Sequence, residues 1–405
     1  MTIKKLQGKE RFEAYKLFVY CFHQRLDNIE AERDKHEAET QEDWGAFDDN
    51  NNLMARIINN HYNFYLDGKI VKTGGIGGVA TYPEYRDSGA IREIFNTLIL
   101  EAYKNGEVLS ALFPFNHKFY RKFGYEVVPF CNEYKMNPAL LKDYLPLVSN
   151  GQSCKIKKWQ QGESVKDFLE IYNKFAPEYN LTAVKTEESM LEHMKVEKEF
   201  QDRKFSYIFN LCGENIAYLI FKDIYNPDAA HLKVEEAAWT CRNGFNAILN
   251  FLSRFTADYG SITLPLPQGI DLLKIIHSPD AYNIEKHSCQ HFMVRVVNVK
   301  KLLEIIKKPS DCDFTIRVED DLIKENNLAL RVKTDCVEVL SDGVDKLTND
   351  SECDIELDIR ALAQLAVGCT NLDEAALRSD VTINGNEEML RKVFIEKKLF
   401  VTESF

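Results

Sequence analysis

The chain has 405 residues, more than one ordinary hydrophobic core accommodates, so two or three domains are expected. A formal charge of −12 argues against nucleic acid as a partner, and no apolar run reaches the roughly 18 residues of a membrane span, so no membrane partner is expected. The first residues hold no apolar signal core and the ten cysteines form no CxxC, which predicts reduced thiols and a cytoplasmic location. An acidic balance is compatible with a cationic substrate, because a negative cleft concentrates amines.

In chain order, Arg11 to Phe22 carries apolar residues at helical spacing, and Glu30 to Asp43 is charged enough to predict a solvated stretch. Strands are expected at Trp44–Phe47, Leu53–Ile58 and Tyr62–Leu66, with a turn over Asp67 to Lys69. A glycine-rich strand from Gly74 then leads to a helix over about Gly89 to Asn105. Ile91, Ile94, Phe95, Leu98, Ile99 and Ala102 share one face of it. Leu109 to Phe115 reads as a buried strand, and NHKFYRKFG as a short helix capped by Gly124.

Cys241 to Pro267 repeats the order of Tyr85 to Phe115: arginine, glycine, amphipathic helix, glycine turn, apolar strand. The later copy sets Arg242 and Gly244 one residue closer and has no glycine-rich strand before it, so paired domains are expected rather than a solenoid. From Phe292 the texture changes. MVRVVNV alternates, KKLLEIIKK is helical, and FTIRV, LALRV and CVEVL read as strands split by acidic turns. DIRALAQLAVG and EEMLRKVF are further amphipathic helices. The resulting α+β division is 1–134, 135–291 and 292–405.

The stretch GGIGGVATYPEYRDSGAI, Gly74 to Ile91, crowds four glycines into its first five positions and sets one arginine beside a helix start. It contains no GK[ST], so it is no P-loop, and Gly75, Gly77 and Gly78 do not make GxGxxG. A strand interrupted by glycines exposes N–H groups to which an extended, amide-bearing arm can bond as an added strand would. The N–H groups of Arg86 to Ala90 open a helix, a site suited to pyrophosphate. Gly89 admits phosphates without a Cβ clash, and Arg86 adds fixed charge. An amide-bearing arm joined to a pyrophosphate describes coenzyme A.

GGVATYPEYRDSG, followed by LSALFPF and FYRKFGYE, resembles the GNAT acyltransferases, whose motif is R/Q-x-x-G-x-G/A. More closely it resembles the enhanced-intracellular-survival (Eis) family. The resemblance implies two tandem GNAT folds, with mixed central sheets flanked by helices and only the first copy active. A sterol-carrier-protein-like α+β domain follows. It also implies acetyl-CoA as co-substrate, no metal, and a homohexamer. Carried over residue by residue, Val79, Ala80 and Thr81 line the acetyl and pantetheine arm. Asp87, Ser88, Gly89, Ala90, Ile91 and Arg92 surround the pyrophosphate with Arg86, and Phe115 and Asn116 lie near the cofactor from the next strand. Two departures stand out: Ile91 occupies the last Gly/Ala position, and Asp87 replaces a usual basic residue, placing negative charge near phosphates.

Acetyl transfer to an amine requires loss of the amine proton, a donor for the oxyanion and an acid for the thiolate. An alkylamine has a pKa of about 10.4 and a thiol about 8.5, so a tyrosine hydroxyl at about 10 is a plausible acid when held near the sulfur. Tyr120, which precedes RKFG as the family pattern requires, is preferred over Tyr125. For the base, the family uses the carboxylate of its last residue, here Phe405. Burial beside aromatic residues would raise that carboxyl toward the range of a working base. The N–H of Val79 is the expected oxyanion donor.

HSCQH, His287 to His291, sets two histidines and Cys289 at alternating positions, the spacing of ligands on one strand face, but near no carboxylate cluster; no metal is expected. Asp27 and Trp44 are candidates for an acceptor pocket. The expected function is an acetyl-CoA-dependent N-acetyltransferase for primary amines of small polycations, aminoglycoside-like or polyamine. The alternatives are protein-lysine acetylation and a non-catalytic acyl-CoA or lipid carrier.

Overall fold

The computed structural model describes residues 1–405 except 26–27, 39–40, 150, 197–202, 225–229, 277–282, 343–352 and 404–405. Strand β1 (Thr2–Lys5) is followed by helix α1 (Lys9–Cys21), which turns Phe12, Ala14 and Leu17 inward. The charged stretch expected to be solvated is largely helical: α2 (Ile29–Ala38) forms with no buried side chain. An i,i+4 contact from Glu32 to His36 at 3.2 Å and stacking of His36 on Tyr15 of α1 hold it.

Strands β2 (Glu42–Phe47), β3 (Leu53–Leu66) and β4 (Lys69–Thr81) then form a meander. β3 is one strand where two were expected. The polar run Asn59–Asn60–His61 broke the sequence pattern, yet it pairs through Ile76, Gly75 and Gly74. Asp67 and Gly68, at φ +51° and +76°, make the tight β3–β4 turn. Helix α3 (Ala90–Lys104) buries the apolar face read from the sequence, apart from half-buried Ile91. Strand β5 (Leu109–Leu112), helix α4 (His117–Arg121) and strands β6 (Glu126–Val127) and β7 (Cys131–Met136) complete the first third.

The central architecture is two seven-stranded mixed sheets. The first runs β1-β2-β3-β4-β5, then Met293–Val296, then β6. The second runs Lys155–Lys158, Lys204–Leu211, Glu214–Ile224, His231–Trp239, Ser261–Pro267, then β7, then Ile284–Cys289. The two sheets therefore exchange strands. β7 pairs between two strands of the later copy, and Met293–Val296 pairs between β5 and β6 of the earlier one. This corrects both sequence boundaries. Met293–Val296 was grouped with the third domain, but an alternating pattern announces a strand without naming its partner.

A five-stranded sheet (Val337–Asp342, Leu328–Lys333, Asp313–Glu319, Ile355–Asp358, Val381–Ile383) forms the third unit. One apolar cluster runs from Phe64 and Leu66 of β3 through Tyr172 and Phe175 to Leu362, Leu365 and Phe400. Residues 181–184 lie along β3, with Val184 N–H donating to Asn63 O at 2.7 Å and Tyr65 N–H to Thr182 O at 2.8 Å. The C-terminal segment lies along residue 180 in turn, through Asn180 N–H to Lys398 O at 2.8 Å and Phe400 N–H to Asn180 O at 3.0 Å. No helix among the described residues is long and apolar enough to cross a membrane.

Candidate active site

β4 and β5 run parallel from Thr73 opposite Leu109 to Ile76 opposite Leu112. β5 ends there, while β4 continues to Thr81 without a ladder partner on that side. The sheet opens into a wedge. On its other side β4 carries one residue too many, because Ile58 faces Gly77 but Arg56 faces Ala80. Gly78 takes up the excess at φ +56°, and a Cβ there would lie 3.0 Å from Ile58 Cδ1. The bulge needs glycine on both counts.

The loop from Tyr82 to Gly89 is fastened from below. Tyr82 N–H donates to Met54 O at 3.0 Å, and the Tyr85 hydroxyl donates to Asp48 at 2.9 Å. Asp48 also accepts from Asn52, and these bonds hold its carboxyl at about 2. Gly89 closes the loop at φ +86° and precedes α3, with nothing within 4 Å of where its Cβ would stand. The first-turn amides of α3 have no acceptor inside the helix; Ser88 Oγ accepts from Ala90 N–H at 3.3 Å.

Wedge and loop enclose a groove of about 740 Å³. Val79, Ala80, Thr81, Arg86, Asp87, Gly89, Ala90, Ile91, Arg92 and Phe115 line it. Of the other expected cofactor residues, Ser88 caps the helix start, and Asn116 caps α4, its side chain accepting from Phe119 N–H at 3.1 Å. Cys21, Phe22, Tyr85, Phe119, Lys122 and Phe123 also line the groove and escaped the sequence reading. Cys21 and Phe22 come from the end of α1, and Cys21 Sγ reaches Thr81 O at 3.6 Å. Nothing local marks them. Lys122 was legible in principle, as one of two basic residues following Tyr120. Arg86, Arg92 and Lys122 together outweigh the charge of Asp87.

Tyr120 is 2% exposed and sits among Phe95, Phe115 and Phe119, with ring centroids 5.9, 5.3 and 5.1 Å away. Its hydroxyl has no hydrogen-bond partner among the described residues, and burial pushes its phenol well above the ordinary range. It therefore stays protonated at neutral pH. Tyr125, the rival, is fully buried and committed: its hydroxyl bonds Ser110 Oγ at 2.7 Å, and Ser110 donates to Gly74 O at 3.1 Å. One tyrosine is free to donate and the other is a strut.

The remaining candidates separate. Trp44 is 6% exposed in the core beneath α3, its indole N–H donating to Glu42 at 2.8 Å, and it is not part of the groove. Asp27 and Phe405 lie outside the described residues. In HSCQH, His287 is exposed and Cys289 is buried in register with Cys131 of β7. The ring of His291 lies 5.9 Å from Phe113 and 5.4 Å from Phe130. No metal-ligand group forms among the described residues.

Residues 2–128 match the sequence profile of the acetyltransferase (GNAT) domain. The N-terminal unit is a GNAT acetyltransferase domain. Residues 299–401 match the sterol carrier protein domain. No curated protein matches the chain. Among solved structures, it resembles a GCN5-related N-acetyltransferase from Anabaena variabilis at 17% identity and a TM-score of 0.83 over all of both chains. It resembles a probable N-acyltransferase from Enterococcus faecalis at 18% identity and a TM-score of 0.83, over all of this chain and 99% of that one. Eis1 from Mycobacterium abscessus matches at 16% identity and a TM-score of 0.80, again over all of both chains. At these identities the likeness is one of fold, and the chain has the Eis-like architecture of GNAT and sterol-carrier units. A GNAT domain works on a CoA thioester, and the groove of the acetyltransferase domain fits one. It offers an unpartnered strand edge for the amide arm, and open space at Gly89 beside helix N–H groups and three cationic side chains for the phosphates.

Proposed function

We propose that the chain transfers the acetyl group of acetyl-CoA directly to primary amines of small polycationic molecules, aminoglycoside-like or polyamine. One observation carries this: a groove with the outline of a CoA site is backed by Tyr120, a buried phenol with no hydrogen-bond partner among the described residues, directly behind Phe115 and Phe119. In this scheme the Val79 N–H donates to the thioester oxygen as negative charge grows on it. The amine attacks the carbonyl carbon, the C–S bond breaks, and Tyr120 gives its proton to the departing sulfur.

The amine's proton goes, on the family resemblance, to the carboxylate of Phe405. Support comes from the firm seating of the segment before it. Thr402 Oγ1 accepts from Ala183 N–H at 3.3 Å and bonds the Tyr172 hydroxyl at 2.9 Å, while Glu403 lies 3.7 Å from Lys185. Burial raises the Glu403 carboxyl above its ordinary value.

Thiol release from acetyl-CoA, measured with a panel of polyamines, aminoglycosides and lysine peptides, tests the proposal. Turnover with the small polycations is expected. Cofactor binding without turnover on any amine would overturn the proposal, and a preference for peptides would move the acceptor to protein lysine. Residues appended after Phe405 should abolish turnover and leave cofactor binding intact.

A further inference from the structure

Tyr120 stands on α4, a helix of five residues, too short to hold its own orientation. Two brackets reach it, each anchored in the sterol-carrier-like domain, one through Asp320 and the other through Arg378. The inner one is Arg295, fully buried on the strand exchanged into the catalytic sheet. Its Nη2 donates to both carboxylate oxygens of Asp320 at 2.8 and 2.7 Å, and its Nη1 donates to the Phe123 carbonyl. The N–H of that same Phe123 donates to the Tyr120 carbonyl at 2.9 Å. One residue thus joins the guanidinium to the backbone of Tyr120.

The fit leaves no slack. Gly124 sits at φ +78°, and a Cβ there would lie 1.8 Å from Arg295 Nη1 and 3.1 Å from Ile359 Cγ2 of the C-terminal domain. Asp320 is itself rigid, accepting also from Leu322 N–H at 2.9 Å and Asn326 Nδ2 at 2.9 Å. The outer bracket starts next to Tyr120. Arg121 donates to Glu126 at 2.9 and 2.7 Å; Glu126 lies 3.6 Å from Arg378, which pairs with Asp380 at 2.7 Å.

We propose that Asp320 and Arg295, with Arg378 behind Glu126, are positioning residues for the Tyr120 acid. The C-terminal domain sets the pose of α4 from behind. This rests on Tyr120 being the acid. A proton must pass to sulfur over hydrogen-bond distance, and a misplacement of about 1 Å costs on the order of 10²-fold in rate.

The test combines Asp320→Asn, Arg378→Gln and Tyr120→Phe in steady-state kinetics with acetyl-CoA and an accepted panel amine. Asp320→Asn should lower kcat by about tenfold and Arg378→Gln by a few-fold, with KM for acetyl-CoA unchanged. Each double variant with Tyr120→Phe should be no slower than Tyr120→Phe alone, because the bracket acts only through that hydroxyl. Losses that multiply, or single variants with wild-type kcat beside a crippled Tyr120→Phe, overturn the inference alone. An undamaged Tyr120→Phe enzyme overturns the acid assignment and this inference with it. Arg378 is partly exposed, so its variant decides if Asp320→Asn does not fold.

Discussion

The two tandem sheets share one plan and end in opposite states. Each has a parallel pair that separates into a wedge, Thr73–Ile76 against Leu109–Leu112 in the first and His231–Lys233 against Ser261–Thr263 in the second. Each has an irregular strand beside that wedge, with the register shifting near Gly78 in the first and near Glu235 in the second. In the first, glycine keeps the wedge open, and the loop Tyr82 to Gly89 leads into the helix. In the second, only Thr240 and Cys241 separate strand from helix. The bulge there carries two glutamates: Glu235 pairs with Lys204 at 3.0 Å and Lys222 at 2.7 Å, and Glu236 is bound by Lys185 and the Tyr218 hydroxyl. The second bulge is committed to ion pairs.

The glycines tell the same story. Gly89 faces open space, whereas a Cβ on Gly244 would lie 2.3 Å from the Ile216 carbonyl oxygen. One glycine leaves room for a ligand, and the other lets a helix lie against a strand. The shared sequence pattern therefore leaves open space in one copy and makes packing in the other.

Breaking the ion pair at the second bulge should cost the most. Lys185→Met strands Glu236 in the interior and should lower unfolding stability by about 4 kcal/mol, read from urea denaturation at neutral pH. Burial pushes the Glu236 carboxyl up, but Lys185 and His193 hold it below its ordinary value, so its contribution is present above the unfolded pKa and is lost on acidification. Without Lys185 the carboxyl rises instead, so the deficit of the variant should shrink as pH falls through the carboxylate range. A deficit independent of pH would assign the loss to packing.

An alanine pair sharpens the contrast at intermediate size. Gly244→Ala should destabilise by about 2 kcal/mol through overpacking and leave acetyl-CoA affinity alone. Gly89→Ala should raise KM for acetyl-CoA by about tenfold, with about 1–2 kcal/mol lost from the fold as the strain of a left-handed alanine. The reverse pattern would exchange the roles given to the two glycines. The smallest effect concerns the first sheet's own buried carboxylate, Glu107, whose partner His61 is half exposed. Hydrogen bonds donated to Glu107 and Glu42 raise His61 to about 10. Its stabilising effect is complete below the unfolded value of about 6.5 and is lost as pH rises through 10. His61→Gln should therefore cost a little stability at pH 6 and nothing at pH 11, in paired thermal melts.

Much of the first sheet was legible because its signals are local. Apolar spacing marked α3, FYRKFG marked the short helix and its glycine end, and the glycine run marked the bulge. What escaped was settled at a distance. β3 looked broken at Asn59 to His61 because those polar residues answer to Gly74, Gly75 and Ile76 across the hairpin, and to Glu107 beyond them. The strand exchange was invisible because β7 and Met293–Val296 find their neighbours more than a hundred residues away. Trp44 looked available as an isolated aromatic near the start, but the core under α3 takes its ring and Glu42 its N–H. Cys21 and Phe22 reach the groove only because α1 ends against Thr81.

Titration calorimetry with acetyl-CoA tests the contrast between the wedges most directly. One molecule bound per chain is the predicted result, with affinity weakened by Gly89→Ala and untouched by Gly244→Ala. Two molecules per chain would show the second wedge to be open, and none would show that the first is no cofactor site.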